Sequence, residues 1–131
     1  MIAVDTSALV AIVLREATAA DCIESLAAEA SPLISAGTMV EALVVAARRN
    51  VVAEMTRLLG EVAFKVIPVT EAAARRIGVA YARWGKGVHP ARLNFGDCFA
   101  YDVAQDNACP LLFVGGDFAK TDIRSVLPSR G

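Results

Sequence analysis

Zinc-type ligand spacing is missing from this chain. Its one histidine, His89, precedes Pro90 and has no ligand-spaced partner, and its three cysteines are Cys22, Cys98 and Cys109. Their odd number and wide separation fit neither a zinc site nor a disulfide framework, so they read as buried, reduced, small hydrophobes of a cytoplasmic protein. No uncharged apolar run approaches the ~20 residues needed to cross a membrane. The amino end has Asp5 within its apolar segment and no basic leader, so neither a signal peptide nor an anchor is expected. The glycine fingerprint of a dinucleotide fold is absent. So is a positive net charge: the formal value is -1, and the pI is about 5.8. That argues against a protein gripping long stretches of nucleic-acid backbone, while leaving room for an acidic metal site beside a local basic strip.

What the chain has in surplus is apolar material. Hydrophobic residues make up 56% of its 131 positions, and the mean hydropathy is +0.50. A chain of this length is most naturally one domain, residues 1–131, burying roughly two-thirds of its unfolded surface. The excess apolarity calls for a large core and a protein partner.

The pattern alternates strands with helices from end to end. Ile2-Ala3-Val4 is a short apolar run without alternation, as in a strand covered on both faces. Asp5 ends it, and Thr6 or Ser7 is placed to cap a helix beginning at Ala8. A second helical pattern covers about 19–30, with Cys22, Ile23, Leu26 and Ala30 on one side. Leu33-Ile34-Ser35 reads as a strand, Met39 to Arg49 as a helix opened by Gly37-Thr38, and Val52 to about Leu59 as another. Phe64 to Ile67 is a strand stopped by Pro68. A long helix follows from Glu71 to Trp84, with Ala73, Ile77, Ala80, Tyr81 and Trp84 toward the core. After a loop at 85–90, Phe95 starts a helix running to about Asp106. Leu111 to Val114 is the clearest strand, and 125–127 an edge strand. The class is α/β with a mainly parallel sheet.

Four acids stand out from this pattern. Asp5 and Asp117 each follow an apolar strand, where chemistry collects in open parallel sheets. Asp97 lies in the first turn of a helix, and Glu41 is the one charge among the apolar residues 39–47 of its helix. Each has a structural explanation: a cap for Asp5 and Asp117, the helix dipole for Asp97, an arginine partner for Glu41. Together they point to one pocket. Two carboxylates ~4 Å apart repel by on the order of 4 kcal/mol at an effective dielectric of 20, so such a set needs a counter-charge. Hard oxygen ligands favour Mg2+ or Mn2+, and the arrangement fits phosphodiester hydrolysis. Between Ala72 and Gly96 lie Arg75, Arg76, Arg83, Lys86 and Arg92 with no acid among them. Tyr81, Trp84 and His89 are interleaved, a combination suited to holding phosphates while a ring stacks on an unpaired base. The competing explanation is a solvated helix face with Trp84 in the core.

Four fragments carry a resemblance: Ile2-Ala-Val-Asp5-Thr-Ser-Ala-Leu9, Thr38-Met-Val-Glu41-Ala42, Leu93-Asn-Phe-Gly-Asp97-Cys-Phe-Ala-Tyr101, and Leu111-Leu-Phe-Val-Gly-Gly-Asp117-Phe118 followed by Thr121-Asp122-Ile123. In order and spacing they resemble the VapC-type PIN-domain ribonucleases, toxins of type II toxin–antitoxin pairs. The resemblance implies a three-layer α/β/α sandwich whose acidic pocket binds magnesium or manganese and cuts single-stranded RNA. It implies Asp5 and Asp97 as principal metal ligands, Glu41 completing the shell or orienting the attacking water, and Asp117 as the more variable fourth acid. Thr6 and Thr121 would be supporting hydroxyls. It further implies a homodimer and a cognate antitoxin whose tail lies across the cleft. Gly116 departs from the family, which often has Asn there, and Asp102 stands where a small apolar residue is common.

Two other readings stay open at this level. One is a catalytically inert relative that binds its antitoxin or nucleic acid. The other is a receiver-like magnesium-binding signalling domain, which would need an acidic pair after the first strand; here Thr6-Ser7 follows Asp5.

Overall fold

The structure is a computed structural model and describes residues 1–128. Its elements follow in the order β1 (Ala3–Val4), α1 (Thr6–Val13), α2 (Ala19–Ala27), β2 (Leu33–Ser35), α3 (Ala36–Arg48), α4 (Val52–Glu61), β3 (Lys65–Ile67), α5 (Glu71–Trp84), α6 (Phe95–Asp106) and β4 (Leu111–Leu112). The strands form one parallel sheet in the order β3-β2-β1-β4. Ala3 pairs with Leu33 on one side and Leu111 on the other, so the apolar amino-terminal run is the inner strand that the chemistry requires.

Because side chains alternate across a strand, the sheet divides its own core in two. Ala3, Leu33 and Leu111 face Ile77, Trp84, Val103 and neighbours from α5 and α6. Ile2, Val4, Ile34 and Leu112 face the other way, onto Leu9, Cys22, Ala46 and Met55 from α1 to α4. This is the expected three-layer α/β/α sandwich. β3, at the edge, is short and carries Lys65 outward, a common guard against edge-to-edge pairing. The strand order also excludes the receiver-like alternative, whose doubly wound order of 2-1-3-4-5 sets strand 3 beside strand 1. Here β4 takes that place.

Several local expectations are corrected. Asp5 itself, not Thr6 or Ser7, caps α1, accepting from the Ser7 amide. α2 ends at Ala27, and Ile23 and Ala30 are exposed. Ser35 caps α3 by accepting from the Gly37 amide, so that helix starts at Ala36, before Gly37-Thr38. Tyr81 is 40% exposed and not in the core. β4 stops after Leu112, and the edge strand at 125–127 is reduced to one bridge between Ser125 and Leu111. Cys22, Cys98 and Cys109 are free and buried.

β1 sends its crossovers to β2 on one side, while the long β3-α5-α6-β4 excursion returns on the other. The carboxyl ends of β1 and β4 therefore flank the point where the winding reverses, the place where open α/β sheets bind ligands.

Candidate active site

Asp5 lies at that reversal. Its amide donates to the Leu112 carbonyl at 3.0 Å, which ties the end of β1 to β4. Oδ2 accepts from the Ser7 amide at 3.1 Å and the Ser7 hydroxyl at 2.7 Å. Ser7 Oγ in turn accepts from the Val114 amide at 3.0 Å, pinning the chain beyond β4 against α1. The other carboxylate oxygen, Oδ1, is buried and has no hydrogen-bond partner. Burial pushes the Asp5 carboxyl up from 3.8 to about 6, with Glu41 adding repulsion and the Ser7 hydrogen bonds pulling it back.

Asp97 arrives from the opposite layer. Asn94 and Asp97 form a capping box: Asp97 N donates to Asn94 Oδ1 at 2.8 Å, and Asn94 N donates to Asp97 Oδ2 at 3.0 Å. This local reason for an acid in the first turn fixes its rotamer, while tertiary packing sets its surroundings. Burial raises the Asp97 carboxyl from 3.8 to about 7, and Asp5, Asp117 and Glu41 each raise it further by repulsion, against the pull of the Asn94 amide. Asp97 thus lies within electrostatic reach of Asp5, Glu41 and Asp117, and Asp5 within reach of Glu41.

Glu41 is half-buried on α3. Thr6 Oγ1 donates to its Oε1 at 2.5 Å, and a Cβ on Gly96 would collide with its Oε2. The glycine preceding Asp97 therefore lets the α3 carboxylate lie against the amino end of α6. Among the described residues, no arginine pairs with Glu41. Asp117 is exposed in the turn after β4. Thr121 uses its hydroxyl within that turn, donating to Phe118 O and accepting from the Ile123 amide. It makes no hydrogen bond to the acids.

The donor set fits a hard divalent cation. All candidate ligands are carboxylate oxygens, and the partnerless buried Oδ1 of Asp5 is an atom that a cation would satisfy. Among the described residues, no three Asp, Glu, His or Cys side chains form a closed ligand group. A cavity of about 580 Å³ lined by Phe113, Gly116 and Ile123 contains none of these acids, so shape alone does not find the site.

The cations fall into two groups. Arg75 pairs with Glu71 at 3.0 Å on the α5 surface. Arg76 grips buried Asp102 through Nε at 2.7 Å and Nη2 at 3.2 Å, with Asp106 at 3.6 Å. Asp102, unexplained by sequence, thus docks α6 on α5. Arg83 lies over the Trp84 ring at 4.4 Å, with Asp122 at 3.9 Å. Trp84 is in the core, donating from Nε1 to Tyr101 Oη at 3.0 Å, with His89 packed edge-on against it. Lys86 and Arg92 are exposed on the 85–93 loop, which is closed by the Gly85–Leu93 bridge and leads straight to Asn94. Sequence reasoning missed Ser7, Asn94 and Gly96. The Asn-Phe-Gly-Asp order at 94–97, with its capping residue three before the acid, is the signal that could have found Asn94.

A parallel α/β/α sandwich with buried Asp5 and Asp97 near its winding reversal defines the class of α/β protein. The chain belongs to the PIN-domain family, whose profile matches residues 2–124. It is 41% identical over 131 residues to "VapC ribonuclease Mb0625" of Mycobacterium bovis, covering 97% of this chain and 98% of that protein. It is 44% identical over 124 residues to "Ribonuclease VapC36" of Mycobacterium tuberculosis, covering 92% and 89%. The fold is similar to the crystal structure of Mycobacterium tuberculosis VapC20, described as a sarcin-ricin loop cleaving toxin. The TM-score is 0.79 at 19% identity, over 98% of this chain and all of that one. A toxin–antitoxin complex from Klebsiella pneumoniae gives a TM-score of 0.70 at 20% identity, covering 93% of each chain. At these identities the two structures speak to fold alone.

Proposed function

We propose that this protein is a divalent-metal-dependent endoribonuclease, the toxin of a type II toxin–antitoxin pair, hydrolysing phosphodiester bonds in single-stranded or loop regions of RNA. What supports the reading is that Asp5, Glu41 and Asp117 all press electrostatically on Asp97, and that a buried oxygen of Asp5 is left without a partner. The names of the VapC relatives support RNA as substrate.

Asp5 and Asp97 would hold Mg2+ or Mn2+ through the oxygens not committed to Ser7 and Asn94. The bound ion would polarise the phosphoryl oxygen and lower the pKa of water. Ser7 and the Asn94 amide keep the two carboxylates oriented. Glu41, steadied by Thr6, presents Oε2 at the end of α6, where it can accept a proton from the attacking water. Asp117 adds negative charge at the rim. Lys86 and Arg92, exposed and next in the chain to this site, bind the RNA backbone; Arg75, Arg76 and Arg83 extend that strip on α5, weakened by their acidic neighbours.

The surface supports protein partners: Val40, Leu43 and Val44 on α3 are exposed together. A cognate antitoxin and a homodimer would cover such surface in the cytoplasm. Among the described residues no helix is long and apolar enough to cross a membrane.

The purified protein should cut RNA with magnesium or manganese and stop on chelation. Asp97→Asn should abolish cleavage with an unchanged circular-dichroism spectrum. Cleavage that survives both chelation and that substitution overturns the reading.

A further inference from the structure

Among the described residues, Phe95 is the most exposed large apolar side chain, at 72%. It is nevertheless held in place. Its ring meets Phe99 edge to face, with centroids 5.1 Å apart at 89°, and the Phe99 ring fills the space where a Cβ on Gly37 would lie. The pair is therefore anchored between the first turns of α6 and α3, the helices that carry Asp97 and Glu41. An edge-to-face contact fixes a ring without stacking a second ring over it.

Position around the helix sets what Phe95 can reach. Successive residues turn about 100°, so the ring of residue 95, the Glu41 contact at residue 96 and the Asp97 carboxylate follow one another around the amino end of α6. Phe95 thus directly precedes the position that abuts Glu41 and stands two residues before Asp97. No core contact accounts for leaving this ring in water.

We propose that Phe95 is the stacking platform for an unpaired RNA base at the acidic edge, a base-binding site; this rests on the nuclease reading of the four acids. A nucleobase suits the place better than an apolar protein side chain. Its face covers the ring while its polar edges stay solvated beside the carboxylates. Of the aromatics that sequence places in this role, Trp84 is buried against Tyr101 and His89 packs on Trp84; Tyr81 is partly exposed on α5, its ring against Gly85, well before Asp97 in the chain.

The test uses Asp97→Asn protein, which binds RNA without consuming it. Equilibrium binding is measured with a short unstructured RNA and with copies carrying one abasic nucleotide at each position in turn. Adding Phe95→Ala should weaken binding of the intact RNA roughly 5- to 150-fold. Phe95→Trp should restore it, while Phe95→Leu, which keeps apolar cover over Phe99, should not. One abasic position should cost the parent the same factor and cost the alanine variant nothing more. Unchanged affinity of Phe95→Ala overturns the proposal, as do losses that multiply at every position. A Phe95→Ala variant that loosens the purified antitoxin complex but not RNA makes the ring a protein contact, which also overturns it. The nuclease reading is separated by the unsubstituted protein. No cleavage with magnesium or manganese, alongside an intact binding cycle, removes the catalytic role and leaves the base site standing.

Discussion

The carboxylate of Glu41, on α3, occupies the space that a β-carbon at Gly96, on α6, would fill. The glycine is a clearance and not a turn, since it sits inside the first turn of a capped helix. In that setting alanine would ordinarily stabilise by roughly 0.5–1 kcal/mol. Gly96→Ala should therefore leave a folded protein, because the flexible end of Glu41 can move aside. Displacing that carboxylate by about an ångström should lower the cleavage rate on the order of 100-fold. In a Glu41→Gln background the same change should cost little more. Wild-type cleavage by Gly96→Ala would show that the position of Glu41 does not matter.

Ser7 joins Asp5 to the segment after β4 through one hydroxyl. Ser7→Ala removes a donor from a buried carboxylate and an acceptor from the Val114 amide. We expect a loss of about 1–3 kcal/mol in chemical denaturation. The hydrogen bonds from Ser7 hold the Asp5 carboxyl down, so their loss should also weaken manganese binding at neutral pH, roughly 10-fold. Unaltered manganese affinity in calorimetry would contradict the orienting role.

The raised carboxyls fix a direction for pH. Asp5 rises from 3.8 to about 6 and Asp97 to about 7, so between those limits the folded, metal-free protein binds more protons than the unfolded chain. By linkage, their contribution to stability falls as pH rises through that window and is fully lost above about 7. Asp97→Asn should raise the melting temperature of metal-free protein at pH 7.5 by several degrees and change it little at pH 4. Manganese, which binds the deprotonated acids, should stabilise the wild type at pH 7.5 and the variant far less. A variant less stable than wild type at pH 7.5 without metal would reverse the sign and reject this account.

Arg76 and the loop cations should separate experimentally. Asp102 is buried and Arg76 is its bidentate partner, so Arg76→Ala strands a buried carboxylate. Partial exposure of the arginine tempers the cost, but the melting temperature should still fall. Arg76→Ala with Asp102→Ala together should be less destabilising than the sum. Lys86→Ala with Arg92→Ala should leave the melting temperature alone, weaken RNA binding and reduce the salt slope by up to about 2. A large stability loss in the loop pair, or none in Arg76→Ala, would overturn this division.

Much of the sandwich was legible because hydrophobic periodicity is local. The unalternating Ile2-Ala3-Val4 and the pattern of α5 each state how many faces are covered. Errors arose where a neighbour decides. Tyr81 follows the helical period yet stays 40% exposed, and β4 ends early because Val114 N turns to the Ser7 hydroxyl instead of a strand. The acids Asp5, Glu41, Asp97 and Asp117 stand out in the chain, but their supports do not. Asn94 and Ser7 read as ordinary capping residues, and nothing local distinguishes Gly96 from any other helix glycine.

By itself, then, the order of residues determined which segments are strands and helices and which carboxylates lack an apolar excuse. Those properties depend on side-chain chemistry within a few positions. Only the tertiary structure decided that α3 and α6 approach closely enough for Glu41 to press on Gly96, that Asp102 is Arg76's partner, and that Phe95 remains in water. These are contacts across tens of residues, set by how the helices pack on the two faces of one sheet, and no local pattern encodes that distance.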